Sequence, residues 1–250
     1  MLKILLRGCN GRMGRAVSEI CKNRADMSVT AGVDIITERR FAYPVFSDLI
    51  EFSGKADVVV DFSRPDRLDG LFDYCVRTKT PLVLATTGLD GEARARMEKA
   101  AESVAVFSSG NLSLGISLLA DLVTRAATVL GEDYNIEIIE RHHNQKLDAP
   151  SGTAQMLCSA ASEALEYDPV PVYDRHERTL ARPSREIGIH SVRGGTIIGE
   201  HEVVFAGRDE VITLSHSALS REIFVTGAIR AIRFIAGRPP GLYNMKDLLG

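Results

Sequence analysis

Lys3-Ile4-Leu5-Leu6-Arg7-Gly8-Cys9-Asn10-Gly11-Arg12-Met13-Gly14-Arg15-Ala16-Val17-Ser18-Glu19-Ile20-Cys21 is the stretch that decides the fold of this 250-residue chain. Lys3 to Arg7 reads as a short strand, and Gly8 to Gly14 as a tight turn. Ala16, Val17, Ile20 and Cys21 form one face of a helix. A second strand, Ser28 to Val33, ends at Asp34, which lies 20 residues after Gly14. Together they form the first βαβ unit of a Rossmann domain. Glycines let the turn close and let a pyrophosphate approach the helix start, while the acid accepts from a ribose hydroxyl. The spacing is GxxGxxG rather than GxGxxG, and a glycine triplet alone also serves plain packing. The flanking strand, helix and acid favour a dinucleotide held by Gly8, Gly11, Gly14 and Asp34. Asp34 repels a 2′-phosphate and favours NADH, whereas Arg39 and Arg40 just beyond it can pair with that phosphate. Both NADH and NADPH stay open on the sequence.

Outward from this unit the α/β alternation continues. Strands are predicted at Ala56–Phe62, Pro81–Ala85 and Val104–Phe107, and helices at Leu68–Arg77 and Gly91–Glu102, which implies a parallel sheet. Ligands of such sheets lie at the carboxyl ends of the strands, which brings Phe62-Ser63-Arg64, Thr86-Thr87-Gly88 and Ser109-Gly110-Asn111 to the cofactor. Taken singly, each of these loops is an ordinary strand-to-helix connection.

Gly115–Leu130 reads as a helix leading out of the first domain. Ile187–Ser217 holds β-rich segments, including Glu202–Phe205 and Val211–Leu214. Arg221–Ala236 resumes a helical pattern that can pack on the first domain, and Arg221 joins Arg39 as a basic candidate for the cofactor. The expected fold is α/β: a Rossmann-type parallel-sheet domain, residues 1–113 plus 221–250, and a second α+β domain, residues 114–220, with a mainly antiparallel sheet. The first is expected to bind the dinucleotide and the second the substrate.

The densest chemistry lies between a predicted strand at Asn135–Ile139 and a predicted helix at Ala154–Leu165. That loop reads Glu140-Arg141-His142-His143-Asn144-Gln145-Lys146-Leu147-Asp148-Ala149-Pro150-Ser151-Gly152-Thr153. Ser151 suits a helix cap, Gly152 lets a ligand approach, and the first amides of the helix attract a carboxylate or phosphate. Lys146 adds a full positive charge, and His142 and His143 exchange protons near neutral pH. A capped helix after a polar loop is ordinary, but two histidines and a lysine in the same loop point to catalysis. His142, His143 and Asp148 are possible metal ligands, yet their spacing matches no standard zinc pattern, so no metal is expected.

Composition narrows the class. A 45% hydrophobic content fits a globular chain, and a net charge of -3 without Lys/Arg runs argues against nucleic-acid binding. The four cysteines form no CxxC pair, no signal peptide is evident, and no apolar run of membrane length is read, so a cytoplasmic protein without a membrane partner is expected.

Gly8–Gly14 with Arg12 and Met13, Asp61-Phe62-Ser63, Thr86-Thr87-Gly88, Asn111–Gly115 and above all Glu140–Ala154 resemble the 4-hydroxy-tetrahydrodipicolinate reductase (dihydrodipicolinate reductase) family. Gly199-Glu200-His201 and Gly241–Asp247 extend the likeness to nearly the whole chain. The family usually has Gly where Ala85 stands and an aromatic residue or Met where Leu112 stands. The resemblance implies hydride transfer from NADH or NADPH to a cyclic unsaturated dicarboxylate of diaminopimelate and lysine biosynthesis, with the second domain closing over the first. It adds Arg12 and Met13 to the cofactor residues, and implies His142 as general acid/base and Lys146 as a partner that donates a proton or stabilises charge. His143, Ser151, Gly152 and Thr153 would bind substrate, in a homotetramer built through the second domain's sheet. Two other readings compete: a different two-domain dehydrogenase of a small acid, and a non-catalytic NAD(H)-binding redox sensor.

Overall fold

The computed structural model describes residues 1–176 and 179–250. The chain starts with β1 (Leu2–Arg7), α1 (Arg12–Lys22), β2 (Met27–Val33), β3 (Val45–Phe46), β4 (Val58–Asp61) and α2 (Leu71–Thr78). It continues through β5 (Leu82–Leu84), α3 (Gly91–Ala101), β6 (Ala105–Ser108), α4 (Leu114–Leu130), β7 (Asn135–His142) and α5 (Gly152–Ser162). Then follow β8 (Val170–Val172), β9 (Glu186–Arg193), β10 (Gly199–Ala206), β11 (Val211–Ala218), α6 (Glu222–Ile235), β12 (Gly241–Tyr243) and α7 (Met245–Leu249). Two compact units result: Met1–Ser113 with Glu222–Gly250, and Leu114–Arg221.

The first unit is a seven-stranded parallel sheet in the order β12-β6-β5-β4-β1-β2-β3. Its inner strands are covered on both faces, so they are runs of apolar residues instead of an alternation. Ile4, Leu5 and Leu6 of β1, Val58 to Val60 of β4 and all of β5 are fully buried. Gly70 adopts φ +71°, a backbone that favours glycine, and α2 starts just after it, three residues later than the sequence pattern suggests. The closing segment supplies β12, an edge strand beside β6.

The second unit is a five-stranded sheet in the order β11-β10-β7-β9-β8. Its longer ladders, β11 with β10 and β10 with β7, include both antiparallel pairings, while β9 runs parallel to β7 and β8. β7 alternates half-buried and buried residues over its whole length. Ile136 and Ile138 pack with Val203 and Phe205 of β10 beneath Leu119 and Val123 of α4 and Leu157 of α5. The helical run from Leu114 to Asp133 spans 20 residues and is apolar enough, by length and composition, to cross a membrane, contrary to the sequence reading. Asp121 and Arg125 interrupt that run in sequence, but both fall on exposed positions. Ile116, Leu119, Val123 and Ala127 form its buried stripe, as in a core helix of a globular unit.

Candidate active site

In the first unit, the carboxyl ends of β1, β2 and β4 open onto a cleft of about 460 Å³ lined by Gly8, Asn10, Gly11, Asp34, Ile36 and Ser63 among others. Gly8 takes φ +69°, and a Cβ there would lie 2.7 Å from the Phe62 carbonyl oxygen. At Gly14 a Cβ would lie 2.2 Å from the Gly8 carbonyl oxygen, so the turn and α1 can be this close only with glycine at both places. The N-cap of α1 is Gly11, with no side-chain cap, so no side chain competes with an anion for the first amides. Asp34 is fixed at the other side of the cleft: its carboxylate accepts from the Asn10 amide at 2.9 Å and the Ile36 amide at 3.1 Å. This cradle fits the pyrophosphate and ribose of a dinucleotide.

Other residues assigned to the cofactor stand differently. Arg12 is exposed and Met13 half-buried in the first turn of α1, while Thr87 and Gly88 are exposed after β5. The Thr86 hydroxyl is turned inward, donating to Asp61 at 2.5 Å and to the Ser63 carbonyl at 3.1 Å. Asp61 is fully buried and also accepts from Arg7 at 2.6 Å and Ser63 at 2.8 Å, so Thr86 belongs to a network beneath the cleft. Ser109 donates to the Asn111 carbonyl, and Asn111 Oδ1 accepts from the Ser113 amide, which fixes the loop after β6. Arg39 does not line the cleft; its guanidinium donates to the carbonyls of Phe41 and Ala42. Arg221 is exposed and falls in the second unit, one residue before α6.

In the second unit β7 runs three residues further than the sequence pattern suggests and ends at His142. Glu140 and His142, two apart on a strand, therefore share the buried face. Glu140 is fully buried, and its Oε2 lies 2.6 Å from His142 Nδ1. Arg193 of β9 grips both carboxylate oxygens at 2.8 and 2.7 Å and also donates to the Asp148 carbonyl, while the Ser151 amide donates to Glu140 at 3.1 Å. Burial opposes the charge, but Arg193 and His142 outweigh it and hold the Glu140 carboxyl down to about 2. Burial pushes His142 below the ordinary histidine value, against the pull of Glu140, so the ring is mostly neutral at pH 7. With Nδ1 committed to Glu140, its Nε2 faces Gly199, where a Cβ would sit 3.1 Å away. Lys146 Nζ donates to both oxygens of Asp148 at 2.8 Å. The Ala149-Pro150 peptide is cis. Ser151 caps α5, accepting from the Ala154 amide at 3.1 Å, and the space over Gly152 is open. His143 and Thr153 are half-buried.

The loop thus joins His142, Glu140, Arg193, Asp148 and Lys146 in a continuous set of contacts next to the Ser151-capped start of α5. The sequence reading gave no role to Glu140, Arg193 or His201. The Glu140/His142 spacing was a usable signal, whereas Arg193, 53 residues from Glu140, gave none. Among the described residues no cluster of His, Cys, Asp and Glu is arranged to hold a metal.

A parallel sheet with a glycine cradle at its carboxyl end in one unit, and a loop carrying His142 and Lys146 beside a capped helix start in the other, fit an NAD(P)H-dependent oxidoreductase. Comparison with known proteins makes this specific. The chain belongs to the dihydrodipicolinate reductase family: the family model for "Dihydrodipicolinate reductase, N-terminus" matches residues 2–112, and that for the C-terminus matches residues 115–249. It is 48% identical to the 4-hydroxy-tetrahydrodipicolinate reductase of Caldanaerobacter subterraneus subsp. tengcongensis, over 100% of this chain and 98% of the relative. It is 44% identical to that of Clostridium novyi, with the same coverage. Among solved structures, the dipicolinate-bound dihydrodipicolinate reductase from Paenisporosarcina sp. TG-14 is 26% identical, with a TM-score of 0.82 over 98% of this chain and 97% of that one.

Proposed function

We propose that this chain reduces 4-hydroxy-tetrahydrodipicolinate to tetrahydrodipicolinate in diaminopimelate and lysine biosynthesis, the activity for which its relatives are named. The observation that carries this reading is the joining of His142 and Lys146, through Glu140, Arg193 and Asp148, to the Ser151-capped start of α5. The amides of that helix start, with Gly152 and Thr153, receive one substrate carboxylate, and His143 adds a further contact. Lys146 is the proton donor. It carries protons on a flexible stem, whereas neutral His142 has its only N–H engaged with Glu140 and offers Nε2 as an acceptor. Asp148 is the counter-ion from which the ammonium must part to reach the substrate.

A nicotinamide, when bound, supplies the hydride. Gly8, Gly11 and Gly14 with the α1 amides hold its pyrophosphate, and Asp34 its ribose. NADH is the preferred form. A 2′-phosphate would meet the Asp34 carboxylate, while Arg39 is engaged by backbone carbonyls and Arg40 by Glu38 at 2.7 Å. Four unpaired, buried cysteines support a cytoplasmic location. Half-buried Ile139 and Val204 on the face that α4 and α5 leave open mark the surface through which a homotetramer would assemble.

The test is cofactor oxidation with cyclic substrate generated in place from pyruvate and aspartate semialdehyde. NADH is expected to turn over with at least about ten-fold higher kcat/KM than NADPH, a difference of roughly 1.4 kcal/mol. Lys146→Ala and His142→Ala are each expected to lower kcat by about 10²- to 10⁴-fold with NADH affinity unchanged. Cofactor binding without oxidation would overturn the assignment.

A further inference from the structure

His201 of β10 is 5% exposed, and its ring stands edge-on to that of His142, with centroids 5.2 Å apart. Its Nε2 lies 3.1 Å from Ser151 Oγ, and its Nδ1 is buried with no hydrogen-bond partner among the described residues. The neutral ring has two tautomers. A proton on Nδ1 would leave a buried N–H unpaired, while a proton on Nε2 leaves only a lone pair unpaired, and orphaned acceptors are the better tolerated. Burial, with His142 nearby, pushes His201 down to about 4, so it carries one proton at neutral pH. His201 Nε2–H therefore donates to Ser151 Oγ, which already accepts from the Ala154 amide. Both lone pairs of the hydroxyl are then used, and its own proton is the one polar function left to it.

We propose that His201 is a positioning residue that turns Ser151 into an obligate donor, so that the start of α5 selects an acceptor-only ligand, a carboxylate oxygen of the substrate. This rests on the reading of α5 as the substrate-carboxylate site. A serine free to rotate would serve equally as acceptor or donor; this one discriminates carboxylate from amide or hydroxyl at the same place.

Dipicolinate, an unreactive dicarboxylate, is the probe. His201→Leu is expected to weaken dipicolinate binding and raise substrate KM by roughly ten- to a hundred-fold, with kcat within a few-fold and NADH affinity unchanged. His201→Gln, whose amide can donate to Ser151, should recover much of the loss. In a Ser151→Ala background His201→Leu should add little, because its effect acts through that hydroxyl. Nitrogen-15 NMR of the ligand-free protein should show Nε2 protonated and Nδ1 not. A proton on Nδ1, additive losses in the double variant, or undiminished dipicolinate binding in a folded His201→Leu would each overturn the proposal. Failure of the reductase reading is seen separately, as wild-type protein that binds dipicolinate but oxidises neither cofactor with the cyclic substrate.

Discussion

One methyl group at Gly199 tests how tightly His142 is framed. A Cβ there would stand 3.1 Å from Nε2 of that ring, closer than such contacts normally run, and 3.5 Å from its Cδ2. The ring cannot swing away freely, because Nδ1 is tied to Glu140 and Glu140 to Arg193. Gly199→Ala is expected to lower kcat/KM for the dicarboxylate by about 10-fold or more, since small misplacements of a reacting group are costly. NADH affinity, measured by fluorescence titration, should stay the same; an unchanged kcat/KM would mean that Nε2 takes no part. Some of the site was legible residue by residue. Gly8, Gly14 and Asp34 have local signatures, a turn that only glycine can make and an acid at a strand end. Ser151 has one too, as a small polar residue before a helix. Arg193 and His201 act through partners 50 or more residues away, and periodicity carries no information about such pairs.

At the scale of elements, the meeting of β7, β9, β10 and the start of α5 concentrates buried titratable groups, which makes stability depend on pH. His201 falls from 6.5 to about 4 in the folded protein, and burial also lowers His142. Between pH 6.5 and 4 the unfolded chain binds a proton at His201 that the folded chain does not, so stability rises with pH there and is lost on acidification. From pH 7 to 5 this group alone is expected to cost about 2 kcal/mol. Glu140, held near 2 against an ordinary 4.5, extends the loss at lower pH: its stabilisation is present above 4.5 and disappears as pH falls through 2. Urea titrations at pH 7 and 5 measure the slope, and His201→Gln should flatten it. A midpoint indifferent to pH would show that these histidines are not buried in neutral form. Helix and strand types were well marked in sequence because apolar runs and stripes were clear. β7 was read short because its last buried positions are Glu140 and His142, and a pattern based on hydrophobicity cannot see a polar residue facing inward.

At the scale of the whole molecule, the chain leaves the parallel sheet after β6, builds the second unit, and returns through α6 to add β12 beside β6. That return strand has only three residues and carried little sequence signal. The second unit's sheet is helix-covered on one face. The other shows half-buried Ile139 and Val204 among the ion pairs of Glu137 with Arg182 at 2.8 Å and of Arg141 with Glu200 and Glu202 at 3.8 Å, and His190 is hydrogen-bonded to Glu137 at 2.7 Å. An antiparallel pair can face water on one side, so the uncovered face alone decides nothing. Its half-buried apolar residues suit a self-complementary surface, with most of the surrounding charge already paired within the chain. Light scattering of the purified protein is therefore expected to give four chains of 27.3 kDa. Ile139→Asp, which would bury an unpaired carboxylate in such an interface, should yield smaller species with NADH binding intact. A wild-type protein that stays monomeric at micromolar concentration would eliminate the tetramer and leave this face to solvent.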